Sequence, residues 1–100
     1  MNVQTVTESP ATSQDVGKDL LTVLVDTSSG PWLAYGRLVL PYVPKQGARV
    51  RIKDLGGQAD IKPIVVDGNG RNIDGQSTRS IQNPFEALLL VYTGSQWVVI

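Results

Sequence analysis

From Leu20 onward, the chain is divided into short runs of aliphatic and β-branched residues that end at Gly, Pro, Asn or Asp. This spacing is typical of several short strands joined by turns, and it leaves no segment for a long helix. The clearest run is Ala48–Lys53, in which small or aliphatic residues alternate with cations. Because neighbouring side chains of a strand point to opposite faces, this strand should be half exposed. The sequence therefore predicts an all-β fold.

About seven such segments together predict a small antiparallel β-sandwich or barrel, jelly-roll-like in type. They are Leu20–Val25, Arg37–Leu40, Ala48–Lys53, Ile61–Val66, Ser77–Ile81, Leu88–Tyr92 and Trp97–Ile100. Pro63 cannot donate to a sheet ladder, so its strand should lie at an edge or a bulge. The run Ala87–Val91 is short enough to be helical, but the tight turn after it favours the first arm of a terminal hairpin. The residues expected in the core are Val50, Ile52, Val65, Leu88, Leu90 and Val98.

Residues 1–18 are rich in Thr, Ser, Gln and acidic groups and contain few large apolar side chains. Such a segment cannot bury much apolar surface on its own. We therefore expect an extended N-terminal arm over residues 1–18 and one β domain over residues 19–100. The arm is either a disordered tail or a peg that orders against a neighbouring subunit or a larger assembly.

Charge and residue types argue against several classes of function. Nine basic residues balance nine acidic ones, so no net field attracts nucleic acid or an anionic membrane. The chain has neither cysteine nor histidine, which removes disulfides, thiolate metal sites and the commonest general base. No stretch approaches the roughly 18 apolar residues of a membrane span. We expect no enzymatic activity, no cofactor, no metal, and no nucleic-acid or membrane partner.

Two aspartates beside glycines are the remaining candidates for acid–base chemistry. A glycosidase needs two carboxyl groups at a set distance across the scissile bond, whereas Asp67 and Asp74 are close only in sequence. Both lie in turns, where an Asp side chain is held by backbone hydrogen bonds nearby. A calcium loop beginning at Asp67 also fails, because its fifth and sixth positions are Arg71 and Asn72. A turn role is favoured for both aspartates.

Three aromatic residues, Trp32, Tyr35 and Tyr42, cluster in a segment otherwise rich in Gly and Pro. Rigid aromatic side chains on a loop can stack on a sugar ring or anchor a partner. The alternative is that they cover the end of a small barrel. Trp97, in the terminal hairpin, is expected in the core or in a subunit interface.

The second half of the chain contains, in order, a strand VRIKD, the turn DGNG, a short NIDG and a final LVYTGSQWVVI hairpin. In this order and spacing, Gly47–Ile100 resembles a recurring module of bacteriophage fibre, spike and head-surface proteins. The resemblance implies a non-enzymatic module of the virion surface, made in the host cytoplasm, that assembles as a homotrimer through apolar strand faces. The chain shows no repeats or heptads of a fibre shaft, which favours a self-standing surface protein over a fibre tip.

The run Leu88–Val91 is apolar at every position, so both faces of its strand need cover. We therefore expect Leu89, Val91 and Trp97 to contribute to an interface between copies of this chain. The predicted function is capsid decoration, cement or a small spike, attached to the capsid or another virion protein through the arm. The alternative is a receptor-binding tail-fibre or spike tip, in which the three clustered aromatic residues contact a host-surface glycan.

Overall fold

Nine strands and no helix make up residues 2–100, the part of the chain that the computed structural model describes. In chain order they are β1 (Asn2–Val6), β2 (Ala11–Thr12), β3 (Leu20–Val25), β4 (Gly36–Val39), β5 (Arg49–Asp54), β6 (Ile64–Asp67), β7 (Thr78–Ile81), β8 (Ala87–Tyr92) and β9 (Trp97–Val99). The all-β expectation is confirmed, and each predicted segment overlaps one strand. Pro63 lies just before β6, which is an inner strand, so the expected edge position was wrong: the ladder begins after the proline.

The strands are shared between two sheets. Strands β1, β3, β5, β8 and β9 form a five-stranded sheet, and β2, β4, β6 and β7 form a four-stranded one. Because the chain crosses to the other sheet after each of the first five strands, successive strands of one sheet run parallel there. The later pairs, β6–β7, β5–β8 and the β8–β9 hairpin, are antiparallel. Both sheets are therefore mixed, and the expectation of purely antiparallel pairing was wrong.

Residues 2–12 do not form the expected extended arm. Strand β1 pairs with β3 along its whole length, and β2 adds to β4. Val6 is only 5% exposed and belongs to the core, while the Gln4 side chain bonds the backbone in and just after β2. Backbone hydrogen bonds hold this polar segment in place, so its lack of large apolar residues does not leave it free. Met1, the first residue of the predicted arm, lies outside the described residues.

One hydrophobic core lies between the inward faces of the two sheets. Strand β3 shows the alternation that builds it, because Leu21, Val23 and Val25 are fully buried while the residues between them are half-buried. Of the residues expected in the core, Val50, Ile52, Leu88 and Leu90 are buried. Val65 and Val98 are only half-buried, because each occupies an alternate, outward-facing position of its strand.

The connections gather at two opposite ends of the sheets. Loops 7–10, 26–35, 55–63 and 82–86 lie at one end, here called the upper end. Loops 13–19, 40–48, 68–77 and 93–96 lie at the other, here called the lower end. This division decides which loop residues can act together.

Candidate functional site

The three aromatic residues predicted to contact a partner do not lie together. Trp32 is fully buried, Tyr35 is 69% exposed at the upper end, and Tyr42 is 70% exposed at the lower end. Strand β4 runs between the two tyrosines, and at about 3.3 Å per residue it separates them by on the order of 20 Å. The two tyrosines therefore belong to different surfaces, and Trp32 fits the alternative role of covering one end of the core.

Tyr35 forms part of a groove of about 360 Å³ at the upper end. The groove is lined by Ser9, Pro10, Leu33, Ala34, Tyr35, Gly36 and Arg37. Tyr35 has a φ of 58°, in the left-handed region that bulky residues rarely adopt. The turn is fixed by the Gly36 N–H, which donates to the Leu33 carbonyl at 2.9 Å, and by the Leu33 N–H, which donates to Ser9 Oγ at 3.2 Å. The chain thus presents an exposed tyrosine from a strained, well-fixed turn.

Trp32 packs directly behind this groove, which will be called the Tyr35 groove. A β-carbon at Gly36 would lie 2.7 Å from Cε2 of the Trp32 ring and 2.8 Å from Cβ of Ser9, so only glycine fits. Nε1 of Trp32, which is bonded to Cε2, is buried and has no hydrogen-bond partner within residues 2–100. Nε1 of Trp97, in the core, is likewise buried without a partner among the described residues, so this feature is not particular to the groove.

Arg37 is the charged residue among those that line the Tyr35 groove. One Nη atom donates to Oδ2 of Asp67 at 2.5 Å, and the arginine side chain remains 52% exposed. The Asn69 backbone N–H, which donates to the carboxyl group of Asp67 at 2.8 Å, lowers the pKa of Asp67 most. The Arg37 hydrogen bond and charge lower that pKa further, while partial burial raises it and opposes the shift. The other guanidinium N–H groups have no partner among the described residues.

Of the two aspartates considered for acid–base chemistry, Asp67 holds its own turn, whereas the carboxyl group of Asp74 bonds to the backbone of the last strand. Oδ1 of Asp67 accepts the Asn69 N–H within the turn after β6. Asp74 lies 3.7 Å from Arg79 and accepts the Val99 N–H at 3.3 Å. No group of three or more His, Cys, Asp or Glu side chains within residues 2–100 could hold a metal ion.

A second candidate surface is the outward face of the five-stranded sheet. Leu89 and Val91 of β8 and Val98 of β9 lie there, each half-buried, and Ile100 beside them is 73% exposed. These four residues will be called the hairpin strip. Trp97, which was expected in the core or an interface, is fully buried between the sheets.

Three cations stand beside the hairpin strip on the central strand β5. Arg49 and Arg51 are exposed, and Lys53 is half-buried. Their partners across the sheet on β3 and β8 are all uncharged. Lys53 donates to the Phe85 carbonyl, whereas Arg49 and Arg51 have no ion pair or side-chain hydrogen bond among the described residues. This face therefore combines uncovered apolar side chains with unneutralised positive charge.

The outward face of the four-stranded sheet has a different character. Its side chains are Thr12, Arg37, Val39, Val65, Asp67, Thr78 and Ser80. The arginine and the aspartate in this set form an ion pair, and each valine has a charged residue beside it on one neighbouring strand and a hydroxyl residue on the other. A polar outward face is what an antiparallel or mixed sheet presents to water, so this side needs no further cover.

The sequence analysis missed a third feature, at the upper end. The carboxyl group of Asp54 is fully buried and accepts four hydrogen bonds, from the hydroxyl of Thr27 and the backbone N–H groups of Gly57, Ala59 and Phe85. Phe85 is 57% exposed with a φ of 62°, and its ring lies where a side chain at Gly57 would be. The sequence contained a signal for this feature. Asp54 continues the alternation of Val50 and Ile52 and is followed by two glycines, so its carboxyl group is predicted to face inward.

Comparison with protein-family models found no family that matches this chain, and comparison with curated proteins found no significant relative. Among residues 2–100 there is no helix long and apolar enough to cross a membrane. The exposed surfaces and their contacts therefore carry the functional inference.

Proposed function

We propose that this protein is a non-enzymatic structural component of a bacteriophage virion surface, a capsid decoration, cement or small spike protein that assembles as a homo-oligomer. The two packed layers are interpreted as a small β-sandwich. The observation that carries the assembly proposal is the hairpin strip, which residues 2–100 leave uncovered. The virion assignment is supported by the resemblance of the segment from Gly47 to Ile100 to phage surface modules.

The contrast between the two outward faces supports association through the five-stranded sheet. A domain of this size buries only about two thirds of its unfolded surface, so additional burial between copies contributes to stability. Each apolar side chain moved from water into an interface contributes about 25 cal/mol per Å². Arg49 and Arg51 would lie at the rim of such an interface, where arginine is common and a carboxylate of the neighbouring subunit can reach it.

Three copies in a closed ring are the proposed assembly. A closed ring covers the same strip in every subunit and leaves no open end for further growth. The number three comes from the resemblance, in which apolar strand faces meet around an axis. Attachment to the capsid or another virion protein is proposed through the N-terminal segment. Its strand β1 is an edge of the five-stranded sheet and so offers unpaired backbone groups to a partner strand.

A pair of matched variants tests the assembly. Val91 and Val65 are both half-buried, outward-facing valines, one on each sheet. Val91→Asp should convert the oligomer to monomer, because an unpaired carboxylate would be buried in an apolar contact, whereas Val65→Asp should leave it intact. Leu89→Asp should behave like Val91→Asp. Native mass spectrometry gives the subunit number, and a wild-type monomer throughout the micromolar range would contradict the proposal.

A receptor-binding tip is the second candidate, and the Tyr35 groove favours it. Exposed aromatic residues held in strained turns occur at ligand-binding positions. Tyr42 supplies the control, because it has the same chemistry and exposure at the opposite end. Added protein should compete with phage for host cells, and Tyr35→Ala but not Tyr42→Ala should remove that competition. Equal competition by both variants would exclude the groove as the receptor site.

A further inference from the structure

The polar side chains that line the Tyr35 groove can donate hydrogen bonds. Arg37 has guanidinium N–H groups without a partner among the described residues. Ser9 Oγ already accepts the Leu33 N–H, which leaves its hydroxyl proton to donate. The Tyr35 hydroxyl adds a further donor. A ligand that satisfies this set must be rich in acceptors.

One charged side chain lines the groove, and it forms an ion pair with Asp67 outside it. Arg37 is the one charged residue among those that line it, and no carboxyl group lines it. Its ion pair with Asp67 uses one Nη atom and lies on the outward face of the four-stranded sheet, so the other N–H groups can form a charge-assisted contact with an anion. Pro10, Leu33 and Ala34 supply apolar walls. The groove therefore suits a molecule that has both an apolar face and a negative charge.

We propose that the Tyr35 groove binds an acidic saccharide, an inference that rests on the receptor-binding candidate and names its ligand class. The C–H face of the sugar ring stacks on Tyr35, and its carboxylate accepts from Arg37. The turn fixes the backbone of Tyr35 before binding, which lowers the ordering cost of stacking.

Two matched ligand pairs test the charge requirement. Sialyllactose is compared with lactose, and methyl glucuronide with methyl glucoside, by titration followed by backbone NMR shifts and Trp fluorescence. The acidic member of each pair should bind about tenfold more tightly or better, as expected for a hydrogen bond to a charged group. Shifts should be centred on residues 33–37.

Matched variants test the location. Tyr35→Ala and Arg37→Gln should each weaken acidic-saccharide binding about tenfold or more, while Tyr42→Ala should leave it unchanged. Asp67→Asn removes the ion pair but keeps the Arg37 guanidinium, so this variant should still bind the acidic saccharide. It therefore distinguishes loss of the ligand contact from loss of the Arg37–Asp67 ion pair. Circular dichroism and thermal unfolding establish that each variant is folded.

Each outcome decides between the ligand and the receptor role. Equal binding of acidic and neutral members, or no saturable binding of either acidic saccharide at millimolar concentration, overturns the ligand assignment. If Tyr35→Ala also abolishes competition for host cells, the receptor role stands with another ligand. If Tyr35→Ala leaves competition for host cells unchanged as well, both the ligand assignment and the receptor role of the groove are excluded. Binding that Tyr42→Ala removes would place the site at the wrong end and overturn the proposal.

Discussion

Replacing the buried Asp54 should destabilise the upper end in a graded way. Its Oδ1 accepts from the Thr27 hydroxyl at 2.6 Å and from the Gly57 N–H at 3.1 Å. Its Oδ2 accepts from the Ala59 and Phe85 N–H groups, both at 3.1 Å. Asparagine keeps one of the two acceptor oxygens, and alanine keeps neither. The two substitutions therefore leave different numbers of backbone donors without a partner.

The magnitude follows from those counts. The least costly orientation of Asp54→Asn places the amide group at the Oδ1 position, where the Gly57 N–H is the one backbone donor opposed and the Thr27 hydroxyl, which also accepts the Gln58 N–H, loses its acceptor. One unsatisfied backbone donor costs about 1–3 kcal/mol. Asp54→Ala leaves three backbone donors, for about 3–9 kcal/mol, against a total stability of about 5–15 kcal/mol for a domain of this kind. We expect Asp54→Asn to fold with a clearly lower midpoint and Asp54→Ala to be marginal or unfolded.

Urea unfolding followed by Trp fluorescence measures the free energies of unfolding of the wild type, Asp54→Asn and Asp54→Ala. Asp60→Asn is the control, because Asp60 is exposed in the same loop and should change stability by less than about 0.5 kcal/mol. At about 4–8 °C per kcal/mol, Asp54→Asn should also lower Tm by about 4–24 °C. A change within about 0.5 kcal/mol for Asp54→Asn would show that the carboxyl group does not organise these loops.

Three further predictions concern other parts of the fold. Deleting residues 2–12 should lower the free energy of unfolding by more than about 2 kcal/mol in urea titrations, because β1 and its buried valine are lost. An unchanged midpoint would show that this segment is an arm that does not contribute to folding. Gly57→Ala should destabilise the protein more than Gly47→Ala, because both glycines have positive φ but only Gly57 would place a β-carbon against the Phe85 ring, at 2.3 Å. Equal effects would show that backbone strain is the whole cause and that the contact with Phe85 adds nothing. The folded-state pKa of Asp67 is lowered, so its contribution to stability is present above its unfolded pKa of about 3.9 and is lost as pH falls through the folded value. The stability difference between wild type and Asp67→Asn should therefore shrink below about pH 4, and a difference independent of pH would contradict this.

The alternation of side chains along the sequence predicted most of the strands. Ala48–Lys53 was correctly identified as a half-exposed strand, and the terminal hairpin was correctly placed. The pattern failed for β1, because an edge strand held mainly by backbone hydrogen bonds needs few large apolar residues. Val65 was assigned to the wrong face, since Ile64–Val66 is apolar throughout and its neighbours alone cannot show which residue faces inward.

Strand pairing was not predictable from the same pattern. Loops of similar length can close a hairpin or carry the chain to another sheet, and the sequence between β3 and β4 does not distinguish the two. The same limit explains why the three aromatic residues of the predicted contact site do not lie together. Trp32, Tyr35 and Tyr42 are close in sequence, but β4 carries the chain from one end to the other between the tyrosines. Whether two loops act together depends on the strand between them.

The structure also restricts how copies of this chain can meet at the terminal hairpin. The outer edge of β9 is closed by the chain itself, because the Trp97 N–H donates to the Asn72 carbonyl and the Asp74 N–H donates to the Trp97 carbonyl, both at 2.9 Å. The Asp74 carboxyl group also accepts the Val99 N–H. A partner therefore cannot extend the sheet at this edge without displacing residues 72–74. In the proposed assembly, association at the hairpin would use the outward face, where the hairpin strip lies, and Asp74 would contribute by keeping the edge closed.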